Sequence, residues 1–140
     1  MQRNLFEELK EVHWYNDLKN NNCFNHLNIK FGFERSILPP FPTLTHLNQV
    51  HGNKIIKVNK KNYKIYESEN LTGDGIYTKD KIAIAIKTAD CLPVFLCDLN
   101  SSCLMILHAG WKSLSQGIIL NGIKIFNQSK IPSKNICILL

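Results

Sequence analysis

The run ADCLPVFLCDLNSSCLMILHAGW, residues 89–111, decides the architecture. Val94 to Leu99 and Cys103 to Leu107 are almost wholly apolar, as expected of strands covered on both faces. The polar pair Asn100-Ser101 between them marks the turn of an antiparallel hairpin. With those two residues at the centre of the turn, His108 faces Pro93 and Cys91 lies diagonally across, at about 7–8 Å between diagonal Cβ atoms. Pro93 suits the start of a strand, where no ladder donor is needed. A thiol and an imidazole are thus brought together without any long-range assumption.

Working outward, Ser113 followed by Gln116 reads as a capping-box pair, and Ile118, Ile119, Ile123 and Phe126 supply the apolar face of a helix. Ile136 to Leu140 has the composition of a buried central strand, and Ile82 to Ile86, alternating isoleucine with alanine, predicts another. Upstream, Ile55 to Val58 and Leu44 to Val50 read as strands; if the second stays extended, Gln49 and His51 share one face. A polar loop joins Asn59 to about Thr72. Pro39-Pro40-Phe41-Pro42 forces an extended loop, since each proline removes a donor and restricts its predecessor. Ile29 to Phe33 predicts a short strand. Leu5, Phe6, Leu9 and Val12 recur at helical spacing, predicting an amphipathic helix ending near Trp14. Adjacent strands with flanking helices define an α+β chain.

A length of 140 residues fits one domain, residues 1–140, and 44% hydrophobic content supports a core that needs no disulfides. Five cysteines, an odd number without a CxxC pair, argue for reduced thiols. The start is amphipathic and unlike a signal peptide, and the longest apolar runs are too short to span a bilayer, so a cytoplasmic protein without a membrane partner is expected. The net charge of +6 raises the question of nucleic acid. Arg3 and Arg35 are the only arginines, however, and Lys54, Lys57, Lys60, Lys61 and Lys64 alternate with Ile55, Ile56 and Val58 as a solvated edge would. No nucleic-acid partner is expected, although the charge favours small anions.

Chemistry concentrates in three strings, Gln49-Val50-His51-Gly52, Thr88-Ala89-Asp90-Cys91 and His108-Ala109-Gly110-Trp111. Two histidines and one cysteinate are the ligands of an open zinc site, whose fourth position is free for water or substrate. A helix starting just after His108 would direct free N–H groups toward an oxyanion, and Lys112 would add a full charge there. Asp74 and Asp90 are candidates for orienting ligands or substrate, with turn capping as the alternative.

These motifs, with Gly73-Asp74-Gly75-Ile76-Tyr77-Thr78 between the first two, agree in order and spacing with one family. From about Ile29 to Phe126 the chain resembles the laccase-domain or YfiH-type polyphenol oxidases, also called multicopper polyphenol oxidases. The resemblance implies a four-layer α/β/β/α sandwich of the YfiH type. It further implies a cytoplasmic purine nucleoside phosphorylase acting on adenosine, inosine and methylthioadenosine, with adenosine deaminase activity. His51, Cys91 and His108 become the zinc ligands and catalytic centre; Gln49, Asp74, Asp90 and Lys112 become candidates for binding the nucleoside and phosphate. The pattern also departs from the family: Glu34-Arg35-Ser36 stands where a glycine pair is usual, and Lys112-Ser113 replaces Arg-Gly, keeping the charge but not the bidentate fork. The family continues beyond the position of Leu140, so the expectation is a domain short of its C-terminal part, with an apolar edge that favours self-association and with reduced turnover.

Three alternatives stand beside the zinc reading. Copper could replace zinc in a laccase-like phenol oxidase, although oxidases need more copper ligands than these. A shortened metal-binding remnant could do no chemistry. Cys91 as nucleophile with His108 as base would make a cysteine hydrolase.

Overall fold

The computed structural model describes residues 13–14, 32–33, 44–62, 71–101 and 103–140. The chain forms two compact units, Met1–Pro42 and Thr43–Leu140. In the first, β1 (His13–Trp14) pairs antiparallel with β2 (Gly32–Phe33). The helix expected to end near Trp14 is therefore corrected at its last two residues, which are strand; Leu5 to Val12 lie outside the described residues. Only Gly32 and Phe33 of the strand expected at Ile29 to Phe33 are described.

The second unit is built on five strands: β4 (Ile55–Val58), β5 (Gly75–Thr78), β7 (Leu92–Asp98), β8 (Leu104–Ala109) and β9 (Ile136–Leu139), in the order β4-β5-β8-β7-β9. β4 and β5 are parallel, and every other neighbouring pair is antiparallel. The β7–β8 hairpin has the register expected from its turn, with Pro93 opposite His108 and Cys97 opposite Leu104. β5 escaped the sequence reading because Gly75 and Thr78 dilute its apolar content, yet Thr78 is fully buried, as is Asp74 just before the strand. β9 has the expected composition but lies at the sheet edge, where Ile138 is half-exposed. Composition reports burial propensity and carries no strand order.

Alternation along β8 sorts the core onto two faces. Met105, Leu107 and Ala109 belong to a cluster with Val94, Leu96, Ile118 and Phe126, whereas Ile106 joins Leu47, Val58 and Ile76. The first cluster is sealed by α2 (Ile118–Gln128), whose Ile118, Gly122 and Phe126 recur at i, i+4 and i+8. Gly122 permits that approach, since a Cβ there would stand 2.8 Å from the Met105 sulfur. The second face is flanked by Ile82, Ile84 and Ile86. Within that run only β6 (Ala83–Ile84) is strand, pairing parallel with β3 (Leu44–Thr45). Its isoleucines stay half-buried because they cover the main sheet from outside and do not enter it.

Two expectations fail locally. The strand expected over Leu44 to Val50 ends at Thr45; the chain then makes one bridge, Asn48 to Thr72, and turns at His51 with φ 59°. Likewise, Ser113 is no cap. Gly110, in extended conformation, precedes the single-turn helix α1 (Trp111–Ser115), and Gly117 at φ 77° separates α1 from α2. Ser113 lies inside α1 with its side chain fully buried.

Candidate metal centre

His108 is the next-to-last residue of β8, on the face opposite Met105 and Leu107, and is 4% exposed. Cys91 immediately precedes β7, and the antiparallel register delivers it beside His108. Its carbonyl accepts a hydrogen bond from the Thr88 hydroxyl, which closes the Thr88–Cys91 turn. His51 arrives from outside the hairpin, on the left-handed turn after the Asn48 bridge, and remains exposed. Its ring meets that of His108 edge-on, with centroids 4.8 Å apart and planes at 67°.

One donor atom from each of His51, Cys91 and His108 lies within 4.8 Å of the other two. A tetrahedral ion bonded at about 2.0–2.3 Å separates its ligands by about 3.3–3.8 Å. The three donors thus close on an ion with movements of about 1 Å, which exposed His51 can supply. Two nitrogens and one sulfur, from the end of β8 and the turns at His51 and Cys91, with solvent on the fourth side, fit a metal that keeps one open position. Gly110 makes this convergence possible: a Cβ there would lie 2.8 Å from the Cys91 sulfur and 3.3 Å from His51 Cδ2.

Behind the donors is Asp74, fully buried. Its Oδ1 accepts from the His51 amide at 2.9 Å and pairs with His108 Nδ1 at 2.9 Å; its Oδ2 accepts from the amides of Val50 at 3.2 Å and Gly52 at 2.8 Å. Burial pushes the carboxyl upward, but the hydrogen bonds from His108 and from those three amides outweigh it and hold Asp74 below the ordinary carboxylate value. An ionised Asp74 accepts the His108 Nδ1–H, which leaves Nε2 with its lone pair for a metal.

The donors border a solvent-open cleft of about 730 Å³ lined by His46, Gln49, Lys87, Thr88 and Asp90 among others. The Gln49 side chain donates to the Lys87 carbonyl at 2.7 Å and accepts from the Lys87 amide at 2.6 Å, tying one wall to the other. Of the candidate binding residues, Gln49 and Asp90 stand in the cleft, whereas Asp74 is behind it with its oxygens engaged by the protein. Lys112 is not among the lining residues; its ammonium lies over the exposed Trp111 ring, 5.5 Å from the centroid. Lys87 and His46 were not anticipated. The adjacency of Lys87 to Thr88-Ala89-Asp90-Cys91 was the available signal, while nothing local distinguished His46.

An α+β sheet that gathers two imidazoles and a thiol at the rim of an open cleft defines, among the described residues, a scaffold with a candidate metal centre. Over residues 28–140 the chain matches the family described as multi-copper polyphenol oxidoreductase laccase, and it belongs to that family. It is 33% identical over 106 residues to a purine nucleoside phosphorylase of Rickettsia conorii, covering 74% of this chain and 42% of the relative. A purine nucleoside phosphorylase of Haemophilus influenzae is 32% identical over 98 residues, 69% of this chain and 35% of the relative. Among solved structures, YlmD of Geobacillus stearothermophilus superposes with a TM-score of 0.62 at 25% identity, covering 69% of this chain and 38% of that one. The Bacillus licheniformis hypothetical protein YfiH superposes at 0.59 with 27% identity, covering 68% and 38%. The chain spans between 35% and 42% of the length of these proteins. The fold is thus α+β of the YfiH and YlmD kind. Among the described residues no helix is long and apolar enough to cross a membrane.

Proposed function

We propose that this chain carries the zinc-holding part of a purine nucleoside phosphorylase, acting on adenosine, inosine and methylthioadenosine with adenosine deaminase activity. The observation that carries this reading is the convergence of His51, Cys91 and His108 at a cleft of nucleoside size. The family and the names of the relatives support it. Bound there, zinc would supply a Lewis acid with one open position.

In phosphorolysis a phosphate oxygen bonds to the ribose anomeric carbon as the carbon–nitrogen bond breaks, and the departing base takes the electron pair and then a proton. In deamination a water oxygen adds at purine C6 and ammonia leaves. In phosphorolysis Lys87, which lines the cleft, attracts the phosphate; in either reaction Asp90 accepts hydrogen bonds from hydroxyl or amine groups and Gln49 braces the wall. Lys112, outside the cleft, contributes only long-range attraction, screened over about 10 Å at ordinary salt.

A nucleoside panel on zinc-loaded protein, run with and without phosphate, tests the reading. Free base should appear only with phosphate, and inosine from adenosine in either buffer. Base release independent of phosphate would make the protein a hydrolase. Copper loading followed by oxygen uptake with a phenol would select the oxidase, whose two-imidazole, one-thiolate ligand set also accepts copper.

A further inference from the structure

We infer that Asp74 is the positioning residue that makes the metal site a single unit, presenting His51 and His108 together. The inference rests on the reading that His51, Cys91 and His108 share one metal. Those two histidines lie on segments far apart in sequence, and the Asp74 carboxylate is bonded to both. Oδ1 joins the His51 amide to the His108 ring, and Oδ2 gathers the amides on either side of His51. Three consecutive N–H groups closing on one carboxylate hold His51 at φ 59°, a conformation L-residues seldom adopt unaided. The Asp74 backbone is equally anchored, its amide donating to the Lys54 carbonyl at 2.9 Å and its carbonyl accepting from the His108 amide at 2.7 Å.

This arrangement makes the isosteric Asp74→Asn change informative. Each carboxylate oxygen accepts two hydrogen bonds, whereas an amide offers one oxygen and one NH₂. With the amide oxygen toward His51 and His108, the NH₂ opposes the Val50 and Gly52 amides and the His51 turn loosens. With the amide reversed, the NH₂ faces His108 Nδ1, which must then accept. The proton moves to Nε2, where it blocks the nitrogen available to a metal. Either orientation disables one donor while leaving shape and volume nearly unchanged.

Two readouts test the inference. Zinc affinity, measured by competition with a chromophoric chelator, should fall tenfold to a hundredfold in Asp74→Asn. Combining Asp74→Asn with His51→Ala should weaken binding by less than the product of the separate losses, because both act on one unit. Independently of metal, two-bond ¹H–¹⁵N correlation spectra of the chelator-treated protein should show the His108 proton on Nδ1 in the unaltered chain; in Asp74→Asn it should move to Nε2 where the amide is reversed, or stay on Nδ1 while the Val50 and Gly52 amides exchange faster where it is not. Equal zinc affinity in Asp74→Asn, fully multiplicative losses in the double variant, or a His108 proton already on Nε2 in the unaltered chain would overturn the inference. Should Asp74→Asn not fold, the unaltered chain decides: its His51 and Gly52 amides should exchange slowly despite the exposed turn, and rapid exchange would overturn the role. If the unaltered protein bound no zinc, the metal reading would fail, while the spectra would still decide whether Asp74 organises the two histidines.

Discussion

Replacing Gly110 with alanine separates the geometry of the donor group from the stability of the fold. At φ −70° and ψ 165° the Gly110 backbone is extended and open to any L-residue, so Gly110→Ala introduces no backbone strain. The new methyl would lie 2.8 Å from the Cys91 sulfur and 3.3 Å from His51 Cδ2, whereas such contacts are comfortable at about 3.5–4.0 Å. The thiol must therefore retreat by about 1 Å and His51 by a few tenths, twice the tolerance of about 0.5 Å that a preorganised site allows. Zinc affinity should fall by about tenfold to a hundredfold, or about 1.4–2.8 kcal/mol. Reduced freedom of the unfolded chain contributes about 0.4–1 kcal/mol in the opposite sense, and crowding at a half-exposed thiol relaxes outward, so metal-free stability should change by less than about 1 kcal/mol. Chelator competition reads the first quantity and urea unfolding in excess chelator the second. Gly122→Ala is the control: its methyl meets the flexible Met105 sulfur at 2.8 Å, away from the donors, and should shift stability without changing zinc affinity. Unchanged zinc affinity in Gly110→Ala would refute the placement of the Cys91 sulfur as a ligand.

The other predictions concern single residues. Lys87→Met should raise the KM for phosphate several-fold with little change in kcat, while Lys112→Met should leave both nearly unchanged; steady-state kinetics at varied phosphate compares them. Leu107→Ala, at a site with no exposure, should destabilise the chain by about 2–5 kcal/mol in urea unfolding. Because the folded-state pKa of Asp74 lies below its unfolded value, the unfolded chain binds more protons in that window: its contribution is present above about pH 4 and is lost as pH falls through the folded value. Acid titration of the chelator-treated protein should therefore show a steeper loss of stability than in Asp74→Asn. Burial, set against the Ser129 hydrogen bond, raises the Tyr77 phenol to about 12, so the folded chain retains a proton that the unfolded chain releases near pH 10. Stability should fall between about pH 10 and 12, and phenolate absorbance should show one tyrosine ionising late.

What the sequence disclosed follows the range of the forces involved. The β7–β8 register was legible because a two-residue turn fixes every opposing pair, so the meeting of Cys91 and His108 required only local rules. His51 was readable as a candidate donor by its setting, but its placement was not: an extended Leu44 to Val50 would have carried it on a strand face, whereas Asp74 pulls the chain into a left-handed turn. That carboxylate is contributed from more than twenty positions away, beyond the reach of any periodicity. Asp74 itself reads from sequence as orienting ligands or substrate or as capping a turn, and neither reading names its partners. Ser113 and Gln116 matched a capping pattern, yet the end of β8 starts the helix earlier and turns Ser113 into the core. The edge position of β9 was hidden for a different reason, since strand order follows from pairing between distant segments.

The central claim is that His51, Cys91 and His108 hold one metal ion with an open position. X-ray absorption at the zinc edge on protein loaded with one equivalent tests it most directly. Ligation by His51, Cys91 and His108 should give one sulfur at about 2.3 Å and two imidazole nitrogens at about 2.0–2.1 Å, completed by a light oxygen or nitrogen donor. The sulfur shell should vanish in Cys91→Ser. A shell without sulfur in the unaltered protein, or one that keeps its sulfur in Cys91→Ser, would contradict the account.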